Sequence, residues 1–500
     1  MTLSEVFQAL PASTIQRPED AAGLAAEVTG IAYDSRRVRP GHLFVALRGL
    51  KDDGARFVPE AIRAGAVGVV ADTPAPDGVP VPWRVVDDAR EALALAADRY
   101  FGHPSGQLTV VGMTGTNGKT TTSHVLAAIF EAAGVPCGLL GTVTYRINGQ
   151  DEPATRTTPE APDLQALLRR MVDAGSHACV MEVSSHALAL KRVAGIRFAA
   201  AGFTNLTRDH LDFHGSMETY FDAKRSLFTG LAPGAPALLN VDDPRGVSLV
   251  GEGGRTVTYA VDAPADVYPR AVEESLAGLT FEAHTPHGIV RVRSRLVGHT
   301  NLYNLLAAVG IAVELGLPIE AIERGIAALD GVPGRFELAS GPEDDVAVVV
   351  DYAHTDDALR RLLETARNLA SGRVITVFGC GGDRDRSKRP LMGLVASRLS
   401  DLTIVTSDNP RSEDAARIVE EILLGTQESG RGGEVRTVLD RRSAILDAVS
   451  AAGPGDLVLV AGKGHEKTQE QAGVTTPFDD VAVAHEALAA RRVRAQAGRR

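Results

Sequence analysis

The stretch LTVVGMTGTNGKTTTSHVLAAIF, residues 108–130, constrains this chain most. A β-branched apolar run at 108–111 passes through a turn of Gly, Thr and Asn into a segment with Val125, Leu126, Ile129 and Phe130 on a helical period. The pattern predicts strand, phosphate loop and helix. Gly115 and Gly118 let backbone N–H groups converge on one point, the helix start adds partial positive charge, and Lys119 adds a full one. Thr120 stands where a hydroxyl completes the shell of a magnesium ion. Met113 occupies the place of the first Gly in the spacing G-x-x-x-x-G-K-[ST], so the loop is a compact variant carried by TGTNGKT. A plain Gly-rich turn before a core helix would leave Lys119 and Thr120 unexplained.

A chain of 500 residues suggests roughly two to four domains, and 44% hydrophobic with 23% charged residues is ordinary for a globular protein with substantial cores. The net charge of −11 argues against a nucleic-acid partner held by electrostatics. Cys137, Cys179 and Cys380 show no C-x-x-C spacing and read as buried free thiols of a reducing compartment. No positive n-region precedes an apolar core at the N-terminus and no apolar run is of spanning length, so the expected location is the cytoplasm, without a membrane partner.

Residues 31–72 read as strand, Pro-Gly turn, strand, loop, helix and strand, with buried strands at 43–47 and 66–70 and an amphipathic helix at 57–64. Asp34, Ser35 and Arg36 end the first strand, where a ligand contact or a turn cap accounts for them equally. GHPSGQ, 102–107, reads as a linker, giving a small α/β domain over 1–105 and a central one over 106–336. In the central region Asn148-Gly149 signals a hairpin. Thr158 is placed as a helix N-cap with Pro159 as first helical residue; Thr157 and Thr158 can equally meet a substrate anion there. Glu182 ends the apolar run ACVME, where a nucleotide-binding fold places a second metal ligand. Of His210 and His214, four apart, one is expected to touch a hard metal or phosphate, with His214 otherwise solvated. Lys224, among Tyr220, Phe221 and Phe228, can be a snorkelling surface lysine, and Asn301 and Asn304 are helix caps unless a nucleotide lies above them.

GVPGRFE, 331–337, reads as the second linker, with Arg335 as its strong anion-binding group. Four β-type runs then alternate with helices over a third domain, 337–500, each ending in polar, Gly-containing text. In an open α/β sheet such loops build the crevice, so Asp351, His354, Arg389, Asp408, Asn409, Arg411, Lys463 and Glu466 are expected to converge. GCGGDRD lacks the spacing of a dinucleotide fingerprint. Magnesium-ATP handling beside a crevice of mixed charge suggests activation of a carboxylate as an acyl phosphate that an amine attacks.

TGTNGKTTT, MEVSSH, FTNLTRDHLDFHG, YFDAKRSLF, GHTNLYNLLAA, GVPGRFE, DYAHT, GCGGDRDRSKRPLM, DNPR and AGKGHE, in this order, resemble the Mur ligase family, and DSRRVRPGHLFVALRG resembles its UDP-binding domain. The resemblance implies an α/β chain of three domains: a UDP-sugar-binding first, a P-loop ATPase-like second with a parallel sheet, and a Rossmann-like third that brings the amino acid. It implies addition of a diamino acid to UDP-MurNAc-L-Ala-D-Glu with ATP as co-substrate, by a monomer. Carried onto this sequence, Gly115, Thr116, Asn117, Gly118, Lys119, Thr120 and Thr121 hold the ATP phosphates, and Asn301, Asn304, Arg335 and Asp351 are further ATP contacts. Thr120, Glu182, His210 and Lys224 surround Mg2+, Lys224 as a carbamate formed with CO2. Ser35, Thr157, Thr158, Ser184 and Arg192 match contacts to the UDP-sugar dipeptide. Asp408, Asn409, Pro410 and Arg411 form the mark for meso-diaminopimelate, whose second carboxylate Arg411 can pair bidentately; Arg389, Gly462 and Glu466 match the remaining contacts. An L-lysine or L-ornithine adder of the same family is the alternative, and a nucleotide switch without ligation the rival from another class.

Overall fold

The structure is a computed structural model describing residues 1–11, 14–16, 21–49, 53–428 and 433–497. Part of the loop expected ahead of the 57–64 helix, 50–52, lies outside the described residues. Strands Gly30–Ala32, His42–Val45, Gly68–Ala71 and Trp83–Val85 run parallel in a first sheet, with Thr14–Gln16 antiparallel at its edge. The expected helix is Val58–Arg63, entered through a 3-10 turn.

The second sheet has eight strands. Thr109–Thr114 lies in its interior between Ala178–Glu182 and Ala200–Phe203, all parallel, so the loops following all three emerge on one side. Val111, Leu139 and Val180 face helices Lys119–Ala132 and His299–Glu314, while Val110, Cys179 and Met181 alternate to the other face against Ala161–Asp173. Burial on both faces explains why these strands read as continuous apolar runs. Thr144–Ile147 and Gln150–Pro153 form the hairpin at Asn148-Gly149, whose φ values of 50° and 73° are the left-handed pair that a two-residue turn of this kind needs. A separate three-stranded antiparallel sheet spans Tyr268–Ser275, Gly278–Thr285 and Gly288–Ser294.

The third large sheet has six strands. Ala347–Asp351, Leu457–Ala461, Val374–Phe378, Leu402–Val405 and Glu434–Thr437 are parallel, and Glu337–Leu338 is antiparallel at the edge. The four apolar runs read from the sequence are four of its strands. Side chains tie the units together: Tyr33 Oη donates to Asp163 Oδ2 at 3.0 Å, and Arg208 Nη2 to Ser387 Oγ at 2.6 Å. All three cysteines are free and buried. Among the described residues no helix is long and apolar enough to cross a membrane.

Two expected helix starts are corrected. The helix predicted from Thr158-Pro159 begins at Ala161, with Glu160 at the N-cap position and no side-chain cap. Thr158 Oγ1 instead donates to Glu182 O at 2.8 Å, an interaction across 24 residues that cap statistics do not contain. Asn301 and Asn304 are not caps either, because Gly298 holds the N-cap position of His299–Glu314.

Candidate active site

The phosphate loop is held open by its neighbours. Thr116 N and Asn117 N donate to the backbone and side-chain oxygens of Asn205, at 2.8 and 3.0 Å, and Thr204 Oγ1 donates to Asn117 O at 2.6 Å. Two glycines are required: Gly118 has φ 90° and a Cβ there would stand 2.4 Å from Asn304 Oδ1, while a Cβ on Gly115 would strike Thr204 Oγ1. Lys119 Nζ donates to the carbonyls of Gly115 and Thr116, each at 2.9 Å. Burial lowers its pKa, opposed by the Glu182 and Asp209 carboxylates. Thr120 and Thr121 open the helix behind it.

Glu182 is 1% exposed, and its carboxylate accepts from Thr142 N at 2.8 Å and Thr142 Oγ1 at 3.0 Å. Neither hydrogen-bond donor is charged, and Glu182 has no ion pair among the described residues; its buried carboxylate lines the same cleft as the phosphate loop. No three His, Cys, Asp or Glu among the described residues are gathered to hold a metal by themselves. One carboxylate and the Thr120 hydroxyl nevertheless suit magnesium, which takes few protein ligands and completes its shell with phosphate oxygens and water. His210 adopts φ 53°, a strained value for a non-glycine residue, and its Nε2 lies 3.4 Å from Asp209 Oδ2. Partial burial, opposed by the Asp209 carboxylate, pulls its pKa down to about 4. His214, expected in solvent, is buried with Nε2 2.9 Å from Ser185 Oγ.

Lys224 is likewise no surface lysine. It is 1% exposed, its Nζ donates to Gly115 O at 2.7 Å and sits 4.5 Å from the Tyr220 ring centroid. Desolvation first, then the Lys119 charge, push its pKa well below the ordinary value.

Across the linker, Arg335 Nη2 donates to Thr120 Oγ1 at 3.2 Å, and Asp351 accepts from Phe336 N and Ala353 N at 2.6 and 2.8 Å. With Asn301 and Asn304 these residues line one cleft of about 700 Å³, together with the loop, Glu182, His210, Thr157 and Ser184. Thr157 Oγ1 lies 3.0 Å from Thr142 Oγ1, and Ser184 caps the helix that follows Glu182. Arg192 pairs with Glu160 at 2.7 Å and donates to Thr158 O at 3.1 Å. Ser35 stands apart in the first sheet's unit: its hydroxyl donates to Glu60 at 3.1 Å, and the turn cap there is Asp34.

A second cleft of about 530 Å³ is lined by Thr142 and Pro153 on one side and by Asn409, Arg411, His465 and Glu466 on the other. Asn409 Nδ2 donates to Glu466 Oε2 at 2.7 Å, and the buried Lys463 ammonium donates to both side chains at 3.0 Å. A Cβ on Gly462 would crowd Asp408 Oδ2 at 2.7 Å, and Pro410 leads into Arg411, itself at φ 54°. Among the described residues the Arg411 guanidinium makes one hydrogen bond, Nη1 to Gly382 O at 2.7 Å, and its Nε lies 3.6 Å from Glu470 Oε2. Arg389, read as a direct amino-acid contact, lines neither cleft: its guanidinium is 1% exposed, pairs with Glu413 and Glu421 at 2.8 Å and donates to Gly381 O at 3.2 Å, so it ties the loop after Val374–Phe378 to the segment that follows Arg411.

Thr142, Thr204, Asn205 and Asp209 escaped the sequence reading. All four follow a parallel strand that flanks the phosphate-loop strand or its neighbour, a positional signal visible once strand order is known.

Comparison with known proteins agrees over nearly the whole chain. Residues 27–101 match the Mur ligase family, catalytic domain, 113–312 the Mur ligase middle domain, and 334–464 the Mur ligase, glutamate ligase domain. A UDP-N-acetylmuramoyl-L-alanyl-D-glutamate–2,6-diaminopimelate ligase of Gloeobacter violaceus is 49% identical over 94% of this chain and 95% of its own. Its namesake in Geobacter metallireducens is 47% identical over 93% and 94%. A solved structure of a ligase with that name superposes with a TM-score of 0.70 at 34% identity, covering 98% of this chain and 99% of its own. With three family domains in order, and relatives this similar over nearly their full length, the chain belongs to the Mur ligase family.

Proposed function

We infer that the chain joins meso-2,6-diaminopimelate to the D-glutamyl carboxylate of UDP-N-acetylmuramoyl-L-alanyl-D-glutamate in an ATP-dependent reaction of peptidoglycan precursor synthesis. The observation that carries the choice of amino acid is Arg411, whose guanidinium makes a single hydrogen bond among the described residues and a 3.6 Å ion pair with the half-exposed Glu470, lining a cleft that reaches Thr142 and through it Glu182. Meso-diaminopimelate has a second carboxylate that lysine and ornithine lack, and a planar fork is its natural partner.

In this reading residues 1–105 bind the UDP-sugar, 106–336 bind ATP and 337–500 bring the amino acid. The phosphate loop, through the N–H groups at the start of helix Lys119–Ala132, and Lys119 hold the triphosphate, and Arg335 closes over it from the linker. Thr157, Thr158, Ser184 and Arg192 orient the dipeptide, and Ser35 touches the uridine end. The D-glutamyl carboxylate takes the γ-phosphoryl group, giving an acyl phosphate and ADP. The diaminopimelate amine then attacks the acyl carbon; the C–N bond forms as the C–O bond to phosphate breaks. Thr120, Glu182 and His210 would hold a magnesium ion, which supplies neutralising charge at the phosphate oxygens. Lys224, whose pKa burial and the Lys119 charge push well below the ordinary value, is suited to capture carbon dioxide as a carbamate and so to add a negative donor beside them. The enzyme is read as a cytoplasmic monomer. Phosphate release should be stimulated by the UDP-muramoyl dipeptide and diaminopimelate together, with the tripeptide product seen by mass spectrometry. Release indifferent to both substrates would leave a nucleotide switch; stimulation by lysine or ornithine in preference would move the assignment to that branch.

A further inference from the structure

Tyr352 lines the nucleotide cleft, and His465, which lines the diamino-acid cleft, packs against its ring. Its ring lies under the Arg335 guanidinium, 4.6 Å from centroid to Cζ, and against the His465 imidazole, 5.0 Å between centroids. Arg335 reaches past the ring to Thr120, while His465 adjoins Glu466, which holds Asn409. The backbone closes the same junction. Tyr352 N donates to Gly334 O at 2.9 Å. A Cβ on Gly334 would stand 2.1 Å from His465 N, and one on Gly464 2.7 Å from Tyr352 Cβ. Linker, strand end and the loop after strand Leu457–Ala461 therefore pack with no room to shift separately.

We propose that Tyr352 is a positioning residue that couples the two substrates: one aromatic ring sets both the arginine that closes on the phosphate loop and the loop that presents Glu466 to the diamino acid. The coupling rests on the functional reading of the two clefts given above. The hydroxyl makes no hydrogen bond among the described residues, so the ring's faces and edge do the positioning. Cation–π and ring packing of this size correspond to about tenfold in affinity.

The test compares Tyr352→Leu and Tyr352→Phe in the full chain, with KM measured for ATP, diaminopimelate and the UDP-muramoyl dipeptide, and melting temperature recorded alongside. Tyr352→Leu is expected to raise the first two KM values about tenfold and leave the third within about twofold, while Tyr352→Phe tracks the wild type. A rise in only one of the two, an equal rise in all three, or a phenylalanine variant as impaired as the leucine one overturns the coupling. Wild-type protein that fails to consume diaminopimelate refutes the functional reading instead; wild-type turnover with an unchanged leucine variant refutes the coupling alone.

Discussion

Removing the Arg411 fork tests the substrate assignment most directly. The residue sits at φ 54°, held there because its N–H donates to Glu470 O at 3.0 Å and its carbonyl accepts from Ala472 N at 2.7 Å. A backbone fixed in a disfavoured region aims one side chain, here 22% exposed, with Gly382 O taking only one of its five N–H groups. Breaking a hydrogen-bonded charge pair in a desolvated site costs about 2–5 kcal/mol, and partial exposure argues for the lower half, about 2–3 kcal/mol. That corresponds to roughly 30- to 150-fold in kcat/KM for diaminopimelate. Lysine has no carboxylate at that end and should lose less than about threefold. Arg411→Gly, which removes the guanidinium and relaxes the backbone, should match Arg411→Ala in specificity and exceed it in melting temperature. Arg411→Lys keeps a charge without the fork and should fall between wild type and alanine. Phosphate release, measured with diaminopimelate, lysine and ornithine side by side, separates these outcomes. Equal losses for diaminopimelate and lysine, or a parallel rise in the KM for ATP, would show that the fork does not read the second carboxylate.

Three other perturbations probe the rest of the site. Lys224→Ala should cut turnover by about two orders of magnitude, with excess bicarbonate unable to restore it, and a carbamate signal seen by 13C NMR under labelled carbon dioxide should vanish with the side chain; wild-type turnover would remove the carbamate. Gly118→Ala forces a Cβ to within 2.4 Å of Asn304 Oδ1 at φ 90°, and should cost about 1–3 kcal/mol of stability and weaken ADP binding in calorimetry; unaltered binding would mean that the loop does not need that glycine. Hydrogen bonds from Arg389 hold the Glu413 pKa down to about 2 from an ordinary 4.5. A depressed carboxylate stabilises the fold above its unfolded value, so this contribution should be present above about pH 4.5 and fade towards pH 2. Urea midpoints of Glu413→Gln and wild type should converge across that window, and a constant gap would dissociate Glu413 from it.

What the sequence discloses and what it hides divide along one physical line. Strands such as Val374–Phe378 and Leu457–Ala461 are legible because burial on both faces demands an unbroken apolar run, and the Asn148-Gly149 hairpin because its turn needs two left-handed residues in succession. The phosphate loop is legible for the same kind of reason, since its chemistry is local: Gly115, Gly118, Lys119 and Thr120 act within six residues. Polar side chains whose partners lie far along the chain are not. Thr158 resembles a helix cap until Glu182 is placed behind it, and nothing in the local text around Arg389 announces its pairing with Glu413 and Glu421. Lys224 resembles a surface lysine until the helix bearing it is packed beneath Gly115. In each case local pattern allows several partners and tertiary packing selects one. Burial then changes the chemistry, because enclosure at Gly115 and the nearby Lys119 charge push the Lys224 pKa well below that of a lysine in water. The site's chemistry is thus a property of the assembled loops after parallel strands, and Lys224, His210 and Arg389, whose surroundings assembly changes most, are residues whose partners the linear pattern left open.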